Sequence, residues 1–326
     1  MLKIAVLVSY YDGDKFIREQ LDSILSQRVD PDLRMDVYVR NDGSPNSDLA
    51  ILKEYVDKGQ ISLLDEENVG VKLSFFKLLQ VVAGYDYYFF SDQDDVWVDN
   101  KVQLMVNEMR KYPSSIPVGV YCDLFVADKD AKPTGKVMKS GVLPVKPHAP
   151  ASSSDYILRY YEVTGAGFAI NRAAREMAVS MGEDVFKKTT MHDAALGFML
   201  TSAGTLVFMD TPLTYYRQHG NNLIGVNNHH DSIIRNIKSA QTIVEGRIEK
   251  IYGLFMVNQS IDVVNNKERA ELVKKVMVES PWKAPVYLWK LRDYVYGKHK
   301  VLKQIIYTVF GVSMVKKYQT MYRAGK

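Results

Sequence analysis

Apolar positions along the first third of the chain alternate between two rhythms. Residues 4–8, IAVLV, form a short unbroken apolar run, the pattern of a parallel strand covered on both faces. Ile17, Leu21, Ile24 and Leu25 then share one helical face. MDVYVRND predicts a second strand, and SDLAILKEYVDKG a helix stopped by Gly59. QISLLD predicts a third strand, VKLSFFKLLQVVAG a helix ending at Gly84, and DYYFFS a fourth strand. Val102, Met105, Val106 and Met109 line the next helix, with Asp99 and Asn100 as its caps. Strands alternating with helices predict an α/β layer with a mostly parallel sheet.

Beyond about residue 113 the alternation loosens. VGVYCDLFVAD predicts a strand, and the Pro-, Gly- and Lys-rich residues 128–150 a hairpin or mobile loop. TGAGFAINRAAREMAVSMG predicts strand, turn and helix, and HDAALGFMLTSAG a helix. Two strands, TLVFMD and PLTYYRQHG, follow, and from about residue 228 the pattern is mainly helical. There is no internal repeat and no low-complexity tract.

Composition narrows the class. The chain has 326 residues, 47% hydrophobic and 25% charged, which suits a globular protein of one large or two smaller domains. Its single cysteine, Cys122, allows no intrachain disulfide and suits a reducing cytoplasm. The short apolar start runs at once into acidic residues, so no signal peptide is expected, and no stretch reaches the roughly 18 apolar residues of a spanning helix. Residues 281–326 carry ten Lys or Arg and one acid, Asp293, a charge of +9; the overall +4 leaves −5 for residues 1–280. The two parts are expected to face different partners.

Candidate chemistry gathers at predicted strand ends. Ser9, Tyr10, Tyr11 and Asp12 follow the first strand; Asn41, Asp42, Gly43 and Ser44 the second; Asp92, Gln93, Asp94 and Asp95 the fourth. Ligands of open α/β sheets bind outside the carboxyl ends of strands, so these loops outline one crevice. Crowded carboxylates repel unless a cation joins them, and a hard divalent ion, Mg²⁺ or Mn²⁺, prefers such oxygen ligands together with substrate phosphates. The plain alternative is turn formers and caps. No G-x-G-x-x-G follows the first strand and no P-loop appears, so phosphates must be held by metal and side chains.

The ordered stretches VSYYDGDKFIREQLDSILSQ, VRNDGSPNSDLAIL, ENVGVKLSFFKLL, DYYFFSDQDDVWVDNKV, TGAGFAINR, HDAALGFMLTSAG and PLTYYRQHGNNLIG resemble the family 2 glycosyltransferases, which have the GT-A fold. FSDQDDVW with YRQHGNN resembles the rhamnosyltransferase-like branch. The resemblance implies an α/β GT-A mixed sheet flanked by helices, with a C-terminal helical extension. It implies a catalytic domain at 1–225, whose 1–112 is the nucleotide-binding half and 113–225 the acceptor half, and a helical region at 226–326. Ser9, Tyr10 and Tyr11 then line the nucleotide pocket. Asp42 reads the base, since a carboxylate accepts the N3–H of uracil or thymine. Asn68, Gly70 and Lys72 lie near the nucleotide. Asp92 and Asp94 are the D-x-D pair, Asp94 the direct metal ligand and Asp92 nearer the ribose. Asp95 and Trp97 continue toward the sugar.

Asp193 is the implied general base, although by its position it also reads as a helix cap or first-turn acid. His192 orients Asp193, touches the acceptor, or is structural. Arg217 and His219 lie past a strand end, where a cation can meet a diphosphate; the alternative is a surface pair near a turn. Gly165, in TGAG, forms the floor under the acceptor or only a tight turn. Ala194 and Ala195 stand where the branch has bulky aromatics, which reshapes the acceptor side.

One base and one metal suffice for a single displacement with inversion, and the resemblance to the branch implies a lipid-linked saccharide acceptor in bacterial surface-polysaccharide synthesis. The expected donor is dTDP-L-rhamnose, with a UDP-hexose as alternative. Val301, Leu302, Ile305, Ile306, Val309 and Phe310 share a helical face with Lys300 and Lys303 off it. With Trp282 and Trp289 nearby, the tail is expected to lie on an anionic membrane, at the inner face of the plasma membrane, or to dock on the catalytic domain. A sugar nucleotidyltransferase lacks support because no Gly-rich signature follows the first strand. A non-enzymatic carbohydrate- or nucleic-acid-binding protein would leave the D-x-D unexplained, and no nucleic-acid partner is expected.

Overall fold

The computed structural model describes residues 1–139, 147–150, 163–219, 233–291 and 301–324, with the side chains of 233–243 and 301–310 excepted. Its contacts form two compact units. The first holds residues 1–139, 147–150, 163–183 and 204–219, and the second 184–203, 233–291 and 301–324. The division is interleaved along the chain: the helix His192–Ala203 belongs with the C-terminal helices.

The first unit is built on a nine-stranded mixed sheet. Its strands are β1 (Leu2–Tyr10), β2 (Leu33–Asp42), β3 (Ser62–Glu66), β4 (Tyr87–Ser91), β5 (Val96–Trp97), β6 (Val118–Ala127), β7 (Pro133–Val137), β8 (Phe168–Asn171) and β9 (Thr205–Arg217). They run in the order β3-β2-β1-β4-β8-β6-β9-β5, with β7 paired to β6. The first four pair in parallel, as the alternating pattern predicts, and β8 joins both β4 and β6 antiparallel, which makes the sheet mixed. The β6–β7 pair is the hairpin expected after residue 127. TLVFMD and PLTYYR, predicted as two strands, are one long β9, which stays parallel to β6 by register shifts around Asp123.

Helices α1 (Ile17–Leu25), α2 (Ala50–Asp57), α3 (Val71–Val81), α4 (Lys101–Met109) and α5 (Arg172–Met181) flank the sheet. Ile17, Leu21 and Ile24 of α1 and Val102, Met105, Val106 and Met109 of α4 are buried, which confirms the faces read from periodicity. The caps proposed for α4 are not made: Asn100 stands at the N-cap without a side-chain bond, and Asp99 pairs with Arg28 at 3.1 Å. Parallel register aligns the strand ends. Tyr10 sits opposite Asn41, and Val8 opposite Ser91, so the loops after β1, β2 and β4 leave the sheet side by side.

The chain then forms α6 (Glu183–Lys188). In the second unit, α7 (His192–Ala203) is buried along almost its whole length, as a helix apolar on all sides must be. Around it in sequence come α8 (Ile233–Ser260), α9 (Lys267–Val278), α10 (Ala284–Lys290) and α11 (Val301–Ala324). Gly253 of α8 lies so close to Phe198 of α7 that an added Cβ would meet its ring at 3.4 Å. Tyr318 and Tyr322 of α11 meet Tyr252 and Phe255 of α8, with ring centroids 5.1 and 5.0 Å apart. Gln319 Nε2 donates to the Val276 carbonyl at the end of α9 at 2.8 Å. The later half of the basic tail thus packs within the helical unit; the stripe from Val301 to Phe310 lies outside the described side chains. Among the described residues no helix is long and apolar enough to cross a membrane.

Candidate active site

Three loops meet at the carboxyl ends of β1, β2 and β4. Gln93 fastens the first to the third. Its Oε1 accepts the Tyr11 N–H at 2.7 Å and its Nε2 donates to the Tyr11 carbonyl at 3.0 Å. Gly13 makes room for this bridge, because a Cβ there would stand 2.4 Å from Gln93 Oε1. The first and second loops are joined at Asp12, whose N–H donates to Ser44 Oγ at 2.9 Å and whose carboxylate accepts from Asn46 Nδ2 at 2.7 Å. Ser9 Oγ bonds Ser74 Oγ at 2.7 Å, and the Tyr10 hydroxyl lies 2.6 Å from Asp14 Oδ1. Both are buried, while Tyr11 remains 45% exposed at the rim.

Asp42, at the end of β2, is buried and heavily bonded. Its two oxygens accept the N–H groups of Val69 and Gly70 at 2.9 Å each, and Arg40 pairs with it from the same strand. The carboxylate therefore secures the turn that begins α3, with Asn68, Gly70 and Lys72 around it. Gly43 carries φ +68°, and its missing Cβ leaves the Asn68 N–H room that a side chain would close to 2.6 Å.

The carboxylates after β4 are held from β9. Arg217 is buried there, and all three of its guanidinium nitrogens are engaged. Nε donates to the Asp94 carbonyl at 2.7 Å, Nη1 to the Lys129 carbonyl at 2.9 Å and Nη2 to Glu19 Oε2 at 2.5 Å. Its backbone N–H donates to Asp95 Oδ1 at 3.0 Å. Arg217 thus secures the D-x-D loop through these bonds, and its charge is matched by Glu19, whose side chain reaches it from the surface. His219 Nε2 stands 2.7 Å from Asp94 Oδ2, and the imidazole stacks on Phe16 with centroids 4.8 Å apart. The Arg217 guanidinium meets the same Phe16 ring at 4.8 Å.

Asp95 and Trp97, which the resemblance directs toward the sugar, are 1% and 3% exposed. They support the loop from beneath. Burial, and then the charges of Asp94 and Asp92, push the Asp95 carboxyl well above the usual carboxylate range, and its Oδ2 has no hydrogen-bond partner among the described residues. Lys101 lies fully buried in this layer. Its Nζ donates to the Ala166 carbonyl at 2.6 Å and to Thr214 Oγ1 at 2.8 Å, and sits 3.8 Å from the Trp97 ring centroid. It thereby links the Gly165–Gly167 turn to β9. Burial lowers Lys101 to about 8, opposed by Cys122, Asp95 and Asp92.

Asp193 and His192 belong to the second unit, both buried in the first turn of α7. Asp193 Oδ1 accepts the Ala194 N–H at 2.7 Å, and burial lowers the His192 pKa despite the neighbouring carboxylate. Gln93, Phe16, Glu19 and Lys101 escape sequence reading as site residues. Gln93 lies inside the D-x-D itself, whereas the other three read as ordinary helix positions and acquire a role only through distant contacts.

The donor set around Asp94 suits a divalent ion. Among the described residues no cluster of three or more metal-ligating side chains is preformed. Asp94 with the adjacent His219 nitrogen, and Asp92 on the same loop, still offer oxygen ligands and one imidazole. Mg²⁺ and Mn²⁺ sites are commonly completed in this way by substrate phosphates.

Residues 5–148 match the family described as Glycosyl transferase family 2. The chain carries a family 2 glycosyltransferase domain. The transferase is 26% identical over 234 residues to the dTDP-rhamnosyl transferase RfbG of Shigella flexneri, a match covering 67% of this chain and 73% of that one. It is 31% identical over 121 residues to the glycosyltransferase GlyA of Streptococcus pneumoniae serotype 4, covering 36% of this chain and 17% of that longer protein. Among solved structures it is similar to S. aureus TarS 1-349 in complex with UDP-GlcNAc, with a TM-score of 0.60 at 14% identity, over 100% of this chain and 93% of that one. The fold is GT-A.

Two outcomes follow for the transferase. Gln93→Ala and Gly13→Ala remove the same bridge, so their destabilisations should overlap by about 0.5–3 kcal/mol in a double-mutant cycle read by urea unfolding; simple additivity would show the bridge to be idle. Lys101 has a lower pKa folded than unfolded, so between about pH 8 and 10.5 the unfolded chain binds more protons. Stability should therefore rise across that window in the wild type relative to Lys101→Met, by up to about 3 kcal/mol at 1.36 kcal/mol per unit. Parallel curves for the two proteins would contradict a depressed lysine.

Proposed function

We propose that the protein is an inverting, metal-dependent transferase that moves L-rhamnose from dTDP-L-rhamnose to a hydroxyl of a lipid-linked saccharide in bacterial cell-surface polysaccharide synthesis. The observation that supports this reading is the similarity to a dTDP-rhamnosyl transferase, which extends over 234 residues and so reaches well beyond the stretch matched by the family. A UDP-hexose donor is the second reading, because thymine and uracil present the same N3–H to a carboxylate.

Ser9, Tyr10 and Tyr11 border the nucleotide. Asp42 accepts the base N3–H with a lone pair left over from its two amide bonds, and Asn68, Gly70 and Lys72 lie beside it. Asp94 and His219, with Asp92, would hold Mn²⁺ or Mg²⁺, which would supply Lewis-acid neutralisation of the leaving diphosphate. The acceptor oxygen attacks the anomeric carbon opposite the departing nucleoside diphosphate, and Asp193 takes the hydroxyl proton. One displacement inverts the anomeric centre. The Ala194 N–H orients the Asp193 carboxylate, and the small Ala194 and Ala195 leave space on the acceptor side. The enzyme works as a peripheral protein at the cytoplasmic face of the plasma membrane.

Calorimetric titration with dTDP and with UDP, each with and without Mn²⁺, tests the donor. dTDP should bind more tightly, only with metal, and Asp94→Ala should abolish binding; the opposite preference names a uridine donor, and no binding of either removes the proposal. Asp193→Asn should lower turnover by about 10²–10⁴-fold while nucleotide binding is retained. Unchanged turnover would exclude Asp193 as the base.

A further inference from the structure

The most exposed large apolar side chain among the described residues is Trp282, at 82%. It opens a short ordered segment. A 3₁₀ turn, Pro281–Lys283, runs into α10, with prolines at the start of each. Ala284, Leu288 and Leu291 point inward and are buried. On the other side, Trp282, Val286 and Trp289 follow one another at i, i+4 and i+7, and so form a single stripe. Val286 and Trp289 are 55% and 50% exposed. Lys283 and Lys290 are exposed next in line with the two tryptophans. The segment is firmly presented, since the Tyr287 hydroxyl donates to Glu279 Oε2 at 2.6 Å and so ties α10 to the end of α9.

Water is a poor solvent for such a stripe. Two tryptophans and a valine in solution keep apolar area wet that folding buries elsewhere. Indole is apolar with one N–H donor, a combination that settles at the headgroup level of a bilayer. The charge around it is mainly positive. Residues 280–291 contain no acid, and residues 281–326 together carry +9. Glu279, at the edge of the stripe, is engaged by Tyr287 and lies 3.4 Å from Lys283 Nζ. An apolar ridge with lysines beside it is complementary to an anionic lipid surface, which supplies both an apolar layer and negative headgroups.

We infer that Trp282, Val286 and Trp289, with Lys283 and Lys290, form the surface by which this transferase lies on an anionic membrane. The inference rests on the membrane reading above and assigns the contact to these five residues. The tryptophans enter among the headgroups, and the lysines remain at their level. Attraction then falls with salt, since the Debye length is only about 8 Å at physiological ionic strength.

Co-sedimentation of the full chain with phosphatidylcholine vesicles, with and without phosphatidylglycerol, tests the inference. The wild type should bind only the anionic vesicles, with a blue shift of tryptophan fluorescence and release by salt. The double variant Trp282→Ser, Trp289→Ser should bind about tenfold or more weakly, and Lys283→Gln with Lys290→Gln should lose the preference for phosphatidylglycerol. These side chains are exposed, so unchanged circular dichroism and nucleotide binding should accompany the loss. Wild-type binding that the tryptophan variant retains would overturn this surface and leave the membrane reading to another part of the tail. Failure of the wild type to bind would overturn both. A wild type that self-associates without binding vesicles, and a tryptophan variant that does not, would make the stripe a protein interface and overturn the lipid assignment.

Discussion

The buried guanidinium of Arg217 holds together the loops around the candidate site. A cation inside a fold requires partners on every side, because an unpaired one is strongly destabilising. Arg217 finds four partners in three separated parts of the chain: the Asp94 carbonyl, the Lys129 carbonyl, and the Glu19 carboxylate with the face of Phe16. The loop after β4, the β6–β7 hairpin and helix α1 are therefore fixed to the end of β9 by one side chain. Two residues later His219 uses the same Phe16 ring to reach Asp94.

The same region shows how negative charge is tolerated at the end of a buried strand. Asp92 and Asp94 stay partly open to solvent, while Asp95 is buried and its carboxyl is pushed toward the neutral form. Lys101 lies beneath without a direct carboxylate partner, bonded instead to a carbonyl and a hydroxyl. The cluster is balanced by long-range attraction from below and by hydrogen bonds from Arg217. On its solvent side the proposed cation, set between a carboxylate and a diphosphate, would lower the repulsion of both. Asp42 follows a different logic: it is neutralised by Arg40 and by the amides that begin α3, so its place is fixed before any ligand arrives.

Much of this was legible in sequence. Unbroken apolar runs located β1 and β4, and the faces of α1 and α4 followed from the 3.6-residue period, because burial on the sheet selects those positions. Local chemistry was less informative. Asp99 and Asn100 resemble caps but make no cap bonds, since Asp99 has Arg28 as a partner. TLVFMD and PLTYYRQHG read as two strands, yet β9 runs through both, because pairing with β6 resumes at Pro212 after the register shift that leaves Asp210 and Thr211 out of the ladder. Arg217, which read as a cation near a diphosphate or as a surface residue by a turn, is buried, with its guanidinium nitrogens bonded to protein groups.

By itself the sequence determined the strand–helix alternation, the strand-end position of the carboxylates, and the charge division between the first 280 residues and the basic tail. These depend on period and composition, which are local properties. Only the tertiary structure decided that Gln93 bridges two loops, that Lys101 is buried, that His219 meets Asp94 across 125 positions, and that His192–Ala203 joins the C-terminal helices. Each of these needs residues far apart in the chain to be neighbours, and a side chain that reads as solvated in sequence acquires its partner, its burial and its pKa only when the sheet brings that neighbour to it.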